Sequence, residues 1–142
     1  MQTSKSSPKR AILIVDDKRE VLEATSELLQ IHELPAITAQ NGQEALDLLK
    51  SRYDISVVLL DLWMPVMDGW EFLRRKNGDP RIASVPVVVL SAIPPESLEG
   101  AEAVLSKPVD PRRLIATVEH YVRTSVSNIG DAQRNARGAH HR

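Results

Sequence analysis

Asp61 stands directly after the apolar run Val57–Leu60, and the same arrangement recurs elsewhere along the chain. Asp16-Asp17 follow Ala11–Val15, Ser91 follows Val85–Leu90, and Lys107 closes the weaker stretch around Ala101–Leu105. Taken singly, each polar residue has an ordinary reading as a turn aspartate, a helix cap, a loop serine or a surface lysine. Taken together, they would deliver three carboxylates, a hydroxyl and an ammonium to one edge if the apolar runs are neighbouring strands. Such a set has a chemical use. Crowded carboxylates repel one another, and a hard divalent cation relieves the repulsion; magnesium prefers oxygen ligands and keeps several waters, so two aspartates and a carbonyl suffice. An ordinary aspartate, with a pKa of about 3.9, is ionised at neutral pH and can act as a nucleophile. Attack by Asp61 on phosphorus would give an aspartyl phosphate, the cation neutralising charge on the transferring group. Lys107 and the Ser91 hydroxyl could contact its remaining oxygens. His32 and His120 fall inside helical patterns, away from these strand ends, and no catalytic work is expected of them.

The elements that must position this set are legible as alternating patterns. Ala11–Val15, Val57–Leu60 and Val85–Leu90 are nearly continuous apolar runs rich in β-branched residues, as in strands buried on both faces of a parallel sheet. Pro35–Ala39 and Ala101–Leu105 are weaker candidates. Between them lie helical faces. Val21, Leu22, Thr25, Leu28 and Leu29 share one side of a first helix. Asn41 with Glu44 forms a capping-box pattern ahead of Ala45, Leu46 and Leu49. A third helix covers about Val66–Lys76. The last begins with Asp110 as cap and Pro111 at its first position, and carries Leu114, Val118, Tyr121 and Val122 on its apolar face. This order, β-α repeated five times with right-handed crossovers, predicts an α/β fold whose ligands gather at the carboxyl ends of the strands. The stretch from Ser91 to Lys107 is short and contains Pro94-Pro95, so its helix is expected to be short or irregular.

Composition bounds the rest. The chain has 142 residues, 42% apolar and 26% charged, with a formal net charge of −1, which fits one globular domain with no global pull toward nucleic acid or an anionic membrane. It has no cysteine, so disulfides and thiolate chemistry are excluded. No apolar run approaches the roughly 18–20 residues needed to span a bilayer, and Met1–Arg10 lacks the apolar core of a signal peptide. A soluble, cytoplasmic protein without internal repeats is the expectation. Residues 1–9 and 124–142 are polar and weakly patterned, and are expected to be a disordered N-terminal segment and a flexible C-terminal tail around a folded domain at 10–123.

The set Asp16-Asp17, Asp61, Ser91 and Lys107-Pro108, with the run DLWMPVMDGWEF beginning at Asp61, resembles the receiver domain of two-component response regulators, the CheY-like family. The resemblance extends from about Arg10 to Arg123. It implies a flavodoxin-like, doubly wound sheet of five parallel strands in the order 2-1-3-4-5. It further implies Asp61 as phosphoacceptor, Mg2+ held by Asp16, Asp17, Asp61 and the backbone carbonyl of Trp63, and a cis bond between Lys107 and Pro108. A sensor histidine kinase or phosphotransfer domain would be the phosphodonor, and signalling would proceed through protein–protein contacts with an effector that the residues do not identify. Direct nucleic-acid binding, membrane insertion and multiple-turnover enzymology are not expected, and a stand-alone receiver is favoured over an excised fragment. Two departures stand out. The position three residues before the lysine, often Tyr or Phe in the family, is Val104, which cannot make the same rotamer swing. Trp63 and Ile93, both near the acceptor, are large and apolar and could hinder water. Competing readings are a degenerate receiver serving only as an interaction module, and an Asp-nucleophile phosphohydrolase. The hydrolase reading is weakened because Trp63 stands where such enzymes carry a second aspartate.

Overall fold

The computed structural model describes residues 11–138. The segment 1–9 expected to be disordered, and the last four residues of the expected tail, lie outside them. Five strands, β1 (Ala11–Val15), β2 (Ala36–Ala39), β3 (Ile55–Asp61), β4 (Val87–Ser91) and β5 (Ala103–Ser106), form one sheet in the order β2-β1-β3-β4-β5. Every pairing is parallel, as the sequence predicts. All five carboxyl ends therefore lie along one edge.

Both faces of the sheet are covered, which is why β1, β3 and β4 are buried at every residue. Strand alternation divides their side chains between two cores. Leu13, Val15, Val58, Leu60, Val87 and Val89 pack with Ala45, Leu46 and Leu49 of α2 (Gly42–Ser51) and with Phe72 and Leu73 of α3 (Gly69–Asn77). Ile12, Ile14, Val57, Leu59, Val88 and Leu90 pack with Leu22 and Leu29 of α1 (Arg19–Ile31) and with Leu114, Ile115 and Val118 of α4 (Pro111–Gly138). Local capping agrees with the sequence. The Asn41 side chain accepts the Glu44 N–H at 2.9 Å, and Glu44 reaches back to accept the Gln40 N–H at 2.9 Å. Asp110 accepts the Arg112 N–H at 3.1 Å, just past Pro111.

Two elements differ from expectation. Helix α4 continues to Gly138, beyond the boundary at Arg123 drawn from the apolar pattern. Between β4 and β5, where a short or irregular helix is predicted, the chain forms bends and a turn and no helix. Pro94-Pro95 removes two donors there and disfavours helical geometry in the preceding residue.

This helix-free connection is fastened by side chains. At the start of β4 the Val87 N–H donates to Glu102 Oε1 at 2.7 Å while the Glu102 N–H returns to the Val87 carbonyl at 2.8 Å. Leu98 and Ala101 lie against the α2–α3 core. Lys76, 1% exposed, donates from Nζ to the Ala83 carbonyl at 2.7 Å on the same flank. Gly100 has φ +90°, and a Cβ there would stand 2.1 Å from Asn77 Nδ2. Gly100→Ala should therefore cost about 1–2 kcal/mol in urea-monitored unfolding. A further Asn77→Ala exchange should recover only the steric part, because the backbone strain would persist.

Candidate functional site

The strand ends assemble the predicted residues as follows. β1 ends at Val15, and Asp16 follows with 3% of its surface exposed; Asp17 is exposed. β3 ends on Asp61, 6% exposed. β4 ends on Ser91, fully buried, and Lys107 follows β5 directly. A carboxylate oxygen from each of Asp16, Asp17 and Asp61 lies within 4.8 Å of the others. Lys107 reaches across the sheet to them. Its Nζ is 3.1 Å from Asp16 Oδ2 and 3.7 Å from Asp61 Oδ1.

Backbone bonds fix this geometry. The Lys107 N–H donates to the Ser91 carbonyl at 2.9 Å, tying the last two strand ends together, and the Lys107–Pro108 bond is cis. The Asp16 N–H donates to the Ala39 carbonyl, and Asp16 Oδ1 accepts the Lys18 N–H at 2.9 Å, which aims the carboxylate inward. Ser91 Oγ accepts the Ile93 N–H at 3.2 Å, leaving the hydroxyl hydrogen available to an acceptor. Gly69 lets α3 start close to the end of β3: its N–H donates to the Leu62 carbonyl at 2.8 Å, and a Cβ would lie 2.8 Å from Leu62 Cα and 2.9 Å from the Asp61 carbonyl. The loop between them turns at Val66, with φ +68° and a Met67 N–H to Pro65 carbonyl bond of 2.7 Å. Such a turn is strained for a β-branched residue.

Burial pushes the Asp61 carboxyl above the ordinary aspartate value; Lys107 opposes that, Asp16 adds to it, and the Trp63 N–H and Lys18 oppose it more weakly. The three acids supply hard oxygen donors converging from two strand ends, a donor set that fits a small oxygen-preferring dication better than any nitrogen- or sulfur-preferring metal.

Exposed apolar side chains stand on the loops that follow β3 and β4. Trp63 is 60% exposed and meets Trp70 edge-on, with ring centroids 4.8 Å apart and planes at 76°. Ile93 and Val66 are also exposed. The contact between Trp63 and Trp70 is not visible in the sequence, because it depends on the loop carrying one ring back onto the first turn of α3. Nor does the sequence pattern mark Lys18, whose Nζ lies 3.7 Å from Asp17 Oδ1. His32 and His120 are exposed at the end of α1 and on α4, and the structure does not bring them to the cluster. Val104 is partly buried on β5, opposite Val89 and against the α2–α3 core.

Comparison with known proteins agrees with the geometry. Residues 12–119 match the response regulator receiver domain family. The chain is similar to the two-component response regulator ORR5 of Oryza sativa subsp. japonica, 33% identical over 106 residues, covering 70% of this chain and 79% of that protein. It is 38% identical over 122 residues to the transcriptional regulatory protein CpxR homolog of Haemophilus influenzae, covering 82% of this chain but only 52% of that protein. The signal receiver domain of a signal transduction histidine kinase from Syntrophus aciditrophicus superposes with a TM-score of 0.74 at 26% identity, covering 81% of this chain and 91% of that one. Because some relatives are transcriptional regulators, the expected absence of nucleic-acid binding finds no support among them.

The raised Asp61 carboxyl sets a pH dependence. An acid held above its unfolded value binds its proton more tightly when folded, so stability falls as pH rises from the ordinary aspartate range through the raised folded value. Without metal, Asp61→Asn should raise the thermal midpoint at pH 7 by on the order of 3 °C, and the gain should vanish near pH 3. Midpoints measured in chelator across that range check it.

Proposed function

Because the chain belongs to the response regulator receiver domain family, we propose that it is a phosphorylation switch whose acceptor is the Asp61 carboxylate. The observation that carries this reading is the Lys107 ammonium, 3.1 Å from Asp16 and 3.7 Å from Asp61 at the mouth of a three-carboxylate cluster. An Asp61 oxygen attacks phosphorus of a phosphohistidine on a sensor kinase or phosphotransfer domain. An O–P bond forms, the P–N bond breaks, and the imidazole leaves with the bonding pair. The transferring group is most anionic as it passes between donor and acceptor, and Lys107 is near enough to stabilise it there. Ser91 would donate its hydroxyl hydrogen to a phosphoryl oxygen. Asp16, Asp17, Asp61 and the Trp63 carbonyl would hold Mg2+, which when bound supplies positive charge against the carboxylates and the phosphoryl oxygens.

Asp61 is acceptor and product in one, so the chain is a single-turnover switch; hydrolysis of the acyl phosphate resets it. A cytoplasmic setting fits a kinase donor, and no helix among the described residues is long and apolar enough to cross a membrane. The chain spans about half the length of the CpxR homolog it matches, so output by protein contact is proposed from the receiver alone.

Incubation with acetyl phosphate and magnesium should add one phosphoryl group to the wild type and none to Asp61→Asn, as read by intact mass. Labelling of neither protein would favour the interaction-module reading, and equal labelling of both would show that Asp61 is not the acceptor. Lys107→Ala should slow uptake roughly 10²-fold, as for loss of one transition-state contact.

Trp63 and Ile93 stand exposed near the acceptor, where bulk can impede water. Trp63→Asn should shorten the phosphoprotein's lifetime several-fold, measured by loss of the adduct after donor removal. An unchanged decay rate would sink the shielding role.

A further inference from the structure

Lys18 breaks two local preferences at once. It is the N-cap of α1, where an oxygen-bearing side chain ordinarily accepts an N–H of the first turn, and it makes no such bond. A helix N-terminus also carries partial positive charge, which disfavours a cation. The caps of α2 and α3 follow the rule: Asn41 accepts from Glu44 and Asp68 from Glu71, each at 2.9 Å. At α1 the side chain is committed elsewhere. Its backbone N–H is bonded to Asp16 Oδ1 at 2.9 Å, and its Nζ lies 3.7 Å from Asp17 Oδ1. The division of labour is clear from the described ion pairs. Lys107 meets Asp16 and Asp61, and Lys18 meets Asp17.

The two lysines differ in freedom. The Lys107 side chain is 25% exposed and spans the cluster, whereas that of Lys18 is 59% exposed. Lys18 can swing into water without unpacking anything, and Lys107 cannot. We infer that Lys18 is a displaceable counter-ion of the acceptor site, neutralising Asp17 in the metal-free protein and giving way when a divalent cation enters the cluster. This rests on the proposed reading of the cluster as a metal site. The consequence is an exchange in place of simple filling. A site already compensated by two ammonium groups takes up the dication less tightly than one whose third carboxylate is bare. Giving up an ammonium–carboxylate contact about 4 Å long in high dielectric, partly screened by salt, lowers affinity about three- to tenfold.

The test is magnesium binding to the full chain at low ionic strength, followed by calorimetry and by tryptophan emission. Lys18→Gln should tighten binding about three- to tenfold, and Lys18→Ser, a neutral exchange that restores a capping oxygen, should do the same. Lys18→Arg should stay near wild type, and the gain of the neutral variants should fade as salt rises. Unchanged or weaker binding by both neutral variants would overturn the inference while leaving the metal site intact, as would an arginine variant that behaves like them. Absence of any magnesium heat in the wild type would overturn the metal reading, and this inference with it.

Discussion

Everything at this edge of the sheet depends on one electrostatic constraint: three carboxylates within 4.8 Å of one another must be compensated in the folded chain. Two of them are met by Lys107, which lies 91 residues along the chain from Asp16 yet stands 3.1 Å from it. Only a sheet in which β5 lies beyond β4 and β3, with all strands running the same way, brings the two together. Fold and charge balance are thus mutually dependent. Parallel strands place the acids and the ammonium on one edge, and their pairing ties the β5 end of the sheet to its centre. The buried cost of Asp61, whose carboxyl is raised chiefly by desolvation, is one that a domain selected for stability alone would avoid.

The same sheet tolerates a large irregularity without disturbing that edge. The β4–β5 connection lacks a helix, yet β4 is buried at every residue and remains in register with β5 from Val88 to Ser91. The covering role passes to Leu98 and Ala101, and the fastening role to Glu102, which replaces a backbone partner for Val87 with a carboxylate oxygen. Such a connection is held at its far end and joined to the site at its near end through Ser91 and Ile93. A helix would move as a rigid body. A loop pinned at two points can reorganise between them, so any response to chemistry at Ser91 would be distributed along residues 92–102 and not delivered as the tilt of one element.

The cluster at the strand ends was readable from the sequence because it is encoded redundantly. Each of Asp16, Asp61, Ser91 and Lys107 ends an apolar run, and the run itself announces the strand that carries it. The fold was readable for the same reason, since runs buried on both faces admit few arrangements. What escaped notice depends on side-chain contacts that no periodicity records. Trp63 and Trp70 are seven residues apart on a loop and a helix, and only the turn at Val66 brings their rings to 4.8 Å. Lys76 sits in a helical pattern as a plain surface lysine, whereas the Ala83 carbonyl and a close-packed flank make it one of the most buried side chains in the protein. The missing helix was half visible in Pro94-Pro95. Propensity warned of irregularity there, but only tertiary packing decided that no turn of helix survives.

Lys18 shows why local preferences are worth reading even when they are violated. Among the described helices, three start with a side-chain acceptor, Asn41, Asp68 and Asp110, and one starts with a cation. The exception is the helix that begins beside the acidic pair. A capping oxygen there would add a further negative dipole to a cluster that already holds three carboxylates, whereas an ammonium relieves it. Local helix stability and charge balance at the cluster therefore favour opposite residues at position 18. The chain carries the cation, so at this helix start a side chain paired with the acidic cluster stands in place of one that caps α1.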